Sequence, residues 1–425
     1  MVNRRQTMLA LAAFATAPLG CTRRSHAANV VRFWAVGREG EYAVELLRDF
    51  LRERPDIDVE VQRLPWTAAH EKLLTAYAGE TLPDLCSLGN TWIPEFTALS
   101  ALTPLDELAR ASRDIALDDY FPGILDSNRV DGPLFGIPWY VDTNVMYYRR
   151  DLLQQAGFSA PPVTWDEWTQ MLGAIKAMVG SDRYSILLPL NEFWPLVTLS
   201  LQHPSELLRD HGRYGNFRNA DFRRTLEFYA SMFRREWAPK MTNTQVSNVW
   251  DEFGRGMFSF YISGPWNIAE FRKRMLRDLQ DAWMTAPMPG PGGPGISSAG
   301  GASLVIFSHS QSKPATWAVM EYLSRPSVQE RFYELTGNMP PRRSTWQSAA
   351  LTASPYAKAF LTQLDRVRSP PKVPEWERIA QEMRLAAERV VQGVSSVDQA
   401  CVALDRKTDE ILEKRRWMMD KDRVT

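Results

Sequence analysis

Tryptophan is the residue type that raises the chemical question in this chain. Fifteen of them occur in 425 residues. Several stand close to an amide or a carboxylate, as in Asn90-Thr91-Trp92 and Trp139-Tyr140-Val141-Asp142. An indole offers a broad apolar face and loses little conformational entropy on contact. A carboxylate accepts hydrogen bonds that are roughly twice as strong as neutral ones, and Arg and Asn add donors in fixed geometry. An ordinary surface loop has no need of Trp beside Asp. The pairing suggests an uncharged ligand with apolar faces, set against the plain alternative that tryptophan packs into cores.

Other chemistries find less support. Lys+Arg and Asp+Glu both number 50, so the formal net charge is zero, which argues against a nucleic-acid partner. Three Cys without CxxC spacing and five scattered His give no disulfide scaffold and no expected metal site or cofactor. No Walker motif is present, so the chain is not expected to hydrolyse ATP itself. Paired acids for glycoside hydrolysis cannot be picked out, because acids are plentiful and none sits in a recognisable catalytic motif.

The elements that would position these residues follow from periodicity. Asn29–Ala35 reads as a strand and Glu41–Glu53 as an amphipathic helix ended by Pro55. Ile57–Leu64 alternates as a second strand, Thr67–Ala78 is helical, and Leu85–Leu88 is a short buried strand. That succession predicts βαβ units and a mostly parallel sheet. Strands are expected at Leu134–Pro138 and Val145–Tyr148, with Trp139–Asp142 as the loop between them. Thr164 and Glu167 form a capping box for a helix over 165–179. Helix over 221–237, strand over 258–262 and a helix opened by Gly264-Pro265-Trp266 follow. A Pro/Gly-rich stretch over 287–301 leads into a strand at Ser303–Phe307, and 375–417 is nearly all helix with a break near Gly393.

Residues 1–28 read as an export signal. Arg4 and Arg5 are basic, and Met8–Leu19 is apolar but too short to span a bilayer. Leu19-Gly20-Cys21 resembles the end of a lipobox, which would make Cys21 an acylated first residue. Cleavage in the region Ser25–Ala28 is the alternative. Arg4-Arg5 allows twin-arginine export, with an ordinary secretory signal favoured. The mature chain is expected in the periplasm or otherwise outside the cytoplasm, lipid-anchored in the first case.

Five segments in order resemble the family 1 extracellular solute-binding proteins of ABC importers. They are VVRFWAVGREGEYAVELLRDFLRERPDIDVEVQ, LPDLCSLGNTWIPEF, LFGIPWYVDTNVMYYRRDLLQQAGFSAPPVTWDEW, GMFSFYISGPWNI and GNMPPRRST. The trehalose/maltose-type sugar binders are the most similar. The resemblance implies an α/β fold of two lobes, each a mostly parallel sheet flanked by helices, with the ligand cleft between them. It places lobe one at 29–142 plus 303–341 and lobe two at 143–302 plus 342–425. It also implies a monomer that closes about a hinge on a disaccharide or oligosaccharide and hands it to membrane permease subunits.

A sugar has apolar C–H faces and a rim of hydroxyls, so aromatic planes and carboxylates suit it. Carried over by resemblance, the ligand contacts are Glu39, Asn90, Trp92, Tyr140, Asp142, Trp194, Trp250, Trp266, Gly300, Gly301 and Arg342. Trp66 joins them, with surface packing as its alternative, and Trp266 carries the most specific motif. Trp34 and Trp139 fall near the same segments. Trp165, Trp168, Trp237, Trp283, Trp317, Trp346, Trp376 and Trp417 read as packing residues. Cys86 and Cys401 are expected to stay unpaired. The alternatives are a binder of another small solute, such as glycerol phosphate, and a secreted glycoside hydrolase.

Overall fold

A computed structural model describes residues 29–246 and 248–422. The signal segment, with Cys21, lies outside the described residues. None of the described helices is long and apolar enough to cross a membrane.

The βαβ rhythm produces the first sheet. Its strands are β1 (Val30–Val36), β2 (Asp58–Leu64), β3 (Leu85–Gly89) and β4 (Ile137–Asp142). The later strand Gly300–Ile306 is inserted between β3 and β4, antiparallel to both. β1 shows why this sheet is a central layer. Val31, Phe33 and Ala35 enter one apolar cluster with the helices Glu39–Glu53 and Lys313–Leu323, while Val36 enters another with the helix Trp66–Ala78. Alternate side chains leave a strand on opposite faces, so a run apolar on both faces needs cover on both.

The second sheet contains β5 (Val145–Arg149), β6 (Tyr184–Leu187), β7 (Phe258–Ser263) and β8 (Trp283–Ala286), in the order β8-β5-β7-β6. β6 and β7 are parallel, and β5 runs against both its neighbours. β5 alternates as β1 does. Met146 and Tyr148 face a cluster with the helices Trp165–Val179, Ala220–Arg234 and Trp376–Val391, and Val145 and Tyr147 face the opposite cluster with Phe253, Phe271 and Trp283.

The chain passes from the first sheet to the second through Thr143 and Asn144, both buried. It returns beside that crossing, and the Ser297 hydroxyl donates to the Asn144 carbonyl at 2.7 Å. Three β expectations need correction. The sheets are mixed rather than mostly parallel, with two parallel and two antiparallel pairings in the first and one parallel and two antiparallel in the second. Trp139–Asp142 is strand rather than loop, because the run Ile137–Asp142 pairs with the inserted strand. That inserted strand begins at Gly300, three residues before the expected start, and so brings both glycines into the sheet. The late helical stretch is three helices, Trp376–Val391, Val397–Ile411 and Glu413–Asp422.

Candidate functional site: an acid-floored, tryptophan-walled cleft

A cavity of about 680 Å³ opens where the two sheets meet. Its floor is the pair of strands at the crossing. Tyr140 and Asp142, two apart on β4, share a face, and Gly300 lies opposite Asp142 with Gly301 opposite Val141. Gly301 has φ +124°, and a Cβ there would run into the Tyr140 carbonyl. Only glycine tolerates both the dihedral and the approach.

Glu39, at the start of the first helix, brings a second carboxyl to this floor. Its Oε1 accepts from the Asn338 amide at 2.6 Å. Burial raises the Glu39 carboxyl, opposed by hydrogen bonds from Asn338, from the backbone and from Trp66 and by the charge of Arg38. Asp142 is pushed up to about 7, first by burial and then by the Glu39 carboxylate. Like charges in a low-dielectric site disfavour joint ionisation. A ligand hydroxyl that donates to either carboxylate would relieve both effects.

Aromatic planes stand on each side. On the first-sheet side Trp66 meets Trp92 edge-on at 5.3 Å, and His70 tilts against Trp92 at 5.0 Å. His70 is itself held by Glu95 at 2.6 Å, the contact that raises its pKa against the effect of burial. On the second-sheet side Trp266 opens the helix Trp266–Arg274. Gly264 lies under its indole, where any Cβ would strike both that ring and the Asp142 carboxylate. Trp66 and Trp266 are 40% and 42% exposed, an unusual state for so large an apolar surface. Phe193 and Trp194 form a tilted pair at 5.1 Å on the same cavity.

The rest of the lining is tied down. Trp250 donates from Nε1 to Asn267 Oδ1 at 2.7 Å, and the Arg274 guanidinium covers its face at 4.4 Å. Asn90 donates to Ser127 at 3.0 Å and accepts from Ser303 at 2.8 Å, so its amide braces the wall. Two contacts span the cavity. Arg38 reaches Glu270 at 3.3 Å, and the Thr91 hydroxyl donates to Glu377 at 2.6 Å. Both arginines of the lining, Arg38 and Arg274, pair with Glu270.

Residues 34–330 match the family model of the bacterial extracellular solute-binding proteins. The chain belongs to that family. Its two-lobed fold closely follows the solved structure of the sugar-binding protein MalE from Xanthomonas citri. The TM-score is 0.90 and the sequences are 54% identical, covering 92% of this chain and 99% of that one. A mannitol-binding protein of Pseudomonas aeruginosa is 26% identical over 85% of this chain and 88% of its own length. A diacetylchitobiose-binding protein of Streptomyces coelicolor is 22% identical over 85% and 84%. The family and these neighbours are binding proteins.

Of the contacts expected from sequence, Glu39, Trp66, Asn90, Trp92, Tyr140, Asp142, Trp194, Trp250, Trp266, Gly300 and Gly301 line the cavity of this solute-binding protein. Arg342 does not and is corrected. It is 6% exposed, and its guanidinium is taken up by Asp119 at 2.7 Å and by the carbonyls of Asp114 and Ser324 at 2.7 and 2.9 Å. A buried guanidinium needs such partners, and this set fixes it away from the cleft. Trp139 stacks on Phe332 at 4.5 Å inside the core, and Trp34 lies under Lys72 at 4.9 Å, so neither reaches the cavity. Trp417 is 58% exposed rather than packed. Glu270, Arg274, Asn338 and Glu377 were missed. Glu270 and Arg274 stand four apart on a helix, a spacing that reads as a solvated ion pair.

Proposed function

We propose that this protein captures a neutral disaccharide or short oligosaccharide of the maltose or trehalose kind and delivers it to the permease of an ABC importer. One observation carries the reading: the Glu39 and Asp142 carboxyls line the same cavity as the half-exposed indoles of Trp66 and Trp266. Carboxylate acceptors suit hydroxyl rims, and open indole faces suit C–H faces.

An anionic solute such as glycerol phosphate is disfavoured by the lining. Its arginines are committed to Glu270, and Glu39, Asp142 and Glu377 add further acid. We read the protein as a monomeric binder outside the cytoplasm that works by closure of the lobes and catalyses no reaction. We take the lobes as 29–142 plus 303–341 and 143–302 plus 342–425, and solute touching both would favour the closed arrangement.

Calorimetric titration with maltose, trehalose, mannitol and glycerol 3-phosphate tests this. Saturable heat with a disaccharide and none with the phosphate is expected. Binding of the phosphate alone would overturn the reading, and glucose release from maltose would make the protein a hydrolase.

A further inference from the structure

A second cavity, between the helices Trp376–Val391 and Val397–Ile411, is lined largely by charged side chains. The mouth of the main cavity carries more. Resting on the reading of that cavity as the solute site, we propose that Glu270 is a positioning residue that couples closure of the cleft to the placement of Trp250.

Glu270 divides its carboxylate between the lobes. Oε1 takes the Arg38 guanidinium from the turn after β1, and Oε2 takes Arg274 Nε at 2.7 Å from its own helix. Glu270 is 16% exposed and Arg38 51%, so the pair is partly shielded on one side and open on the other. Arg274, held by Glu270, lies over the Trp250 ring at 4.4 Å, an arrangement favoured by the ring quadrupole. The Trp250 indole edge is fixed through Asn267, whose amide donates to Ser263 at 2.6 Å. Face and edge of Trp250 are therefore both set by the helix that Arg38 grips. Arg38 also precedes Glu39, so the same grip keeps a positive charge beside the floor carboxylate.

This arrangement has an unusual consequence for a neutral ligand. If closing the cleft forms the Arg38–Glu270 pair, added salt weakens closure even though the sugar carries no charge. Glu270→Gln keeps the shape and removes the charge.

In the ligand-free full-length chain, distances between spin labels on the two lobes should show the wild type more closed than Glu270→Gln at roughly 0.01 M salt. The two should converge at about 1 M. Identical distances at both salts overturn the proposal. In titrations with maltose, Glu270→Gln and Arg38→Gln should each raise Kd roughly two- to fivefold at low salt. The double variant should be no worse than either single one, and additive losses also overturn the proposal. Glu334→Gln, which breaks the Arg331–Glu334 pair on another helix, should keep the wild-type salt dependence. If the wild type binds no maltose, the sugar reading fails, while the ligand-free distances still decide the role of Glu270.

Discussion

The floor of the cleft and its second-sheet wall are built by different means. The floor is backbone and acid: paired strands, glycines that let them touch, and the carboxyls of Glu39 and Asp142. The wall is aromatic and helix-borne, with Trp266 at a helix start and Trp250 clamped on face and edge. Sheet geometry fixes polar groups cheaply, because the ladder already determines where each side chain points. Helix ends and loops present large rings, whose contact energy comes from area rather than from exact angle.

Three substitutions test that division. Trp266→Ala should remove an open stacking face and weaken maltose binding by about 2 kcal/mol, roughly thirtyfold, with little loss of fold stability. Unchanged affinity in a titration would move the stacking role elsewhere.

Asp142→Asn should cost about tenfold near pH 8, since a charge-assisted acceptor becomes a neutral one. It should also flatten a pH profile. With the Asp142 carboxyl pushed up to about 7, wild-type affinity should fall between about pH 8 and about pH 6 as the acceptor protonates. Stability moves the other way. The native state keeps a proton that the unfolded chain releases in the usual carboxylate range, so this group's contribution declines as pH rises towards 7. Thermal melts of the wild type and Asp142→Asn across that window should differ in slope, and parallel slopes would remove Asp142 from the floor's electrostatics.

Asn90→Ala should have the smallest effect, and mainly on stability. It strips Ser127 and Ser303 of their shared partner at about 1 kcal/mol. A denaturant midpoint equal to that of the wild type would show that the wall does not depend on this bridge.

The contrast also explains what could be read from sequence. Glu39, Trp66 and Trp92 sit just beyond strand ends, where α/β sheets present ligand groups, and the family resemblance singled them out. Trp266 was legible through the Gly264-Pro265-Trp266 element that carries the family resemblance. Glu377 was not, because it belongs to a long late helix whose facing partner, Thr91, is 286 residues away in sequence. Asn338 was hidden similarly, between a helix end and the Pro-Pro break. Arg342 misled because its motif says that an arginine is needed, not what needs it. Here the need comes from Asp119. Trp139–Asp142 read as a loop because Pro138 and a lone acid resemble turn punctuation, yet long-range pairing with Gly300–Ile306 overrode that local signal.

The glycine pair also limits how this protein can change. At Gly300 and Gly301 any larger residue would press into the backbone of Asp142 and Tyr140, so the floor has almost no substitutional latitude. The exposed rings of Trp66 and Trp266 have space beside them, and replacing either changes the outline of the cleft without disturbing a ladder. The acid floor therefore tolerates little change while the aromatic frame can be recut, so new cleft outlines would arise along the helices and leave the crossing strands alone.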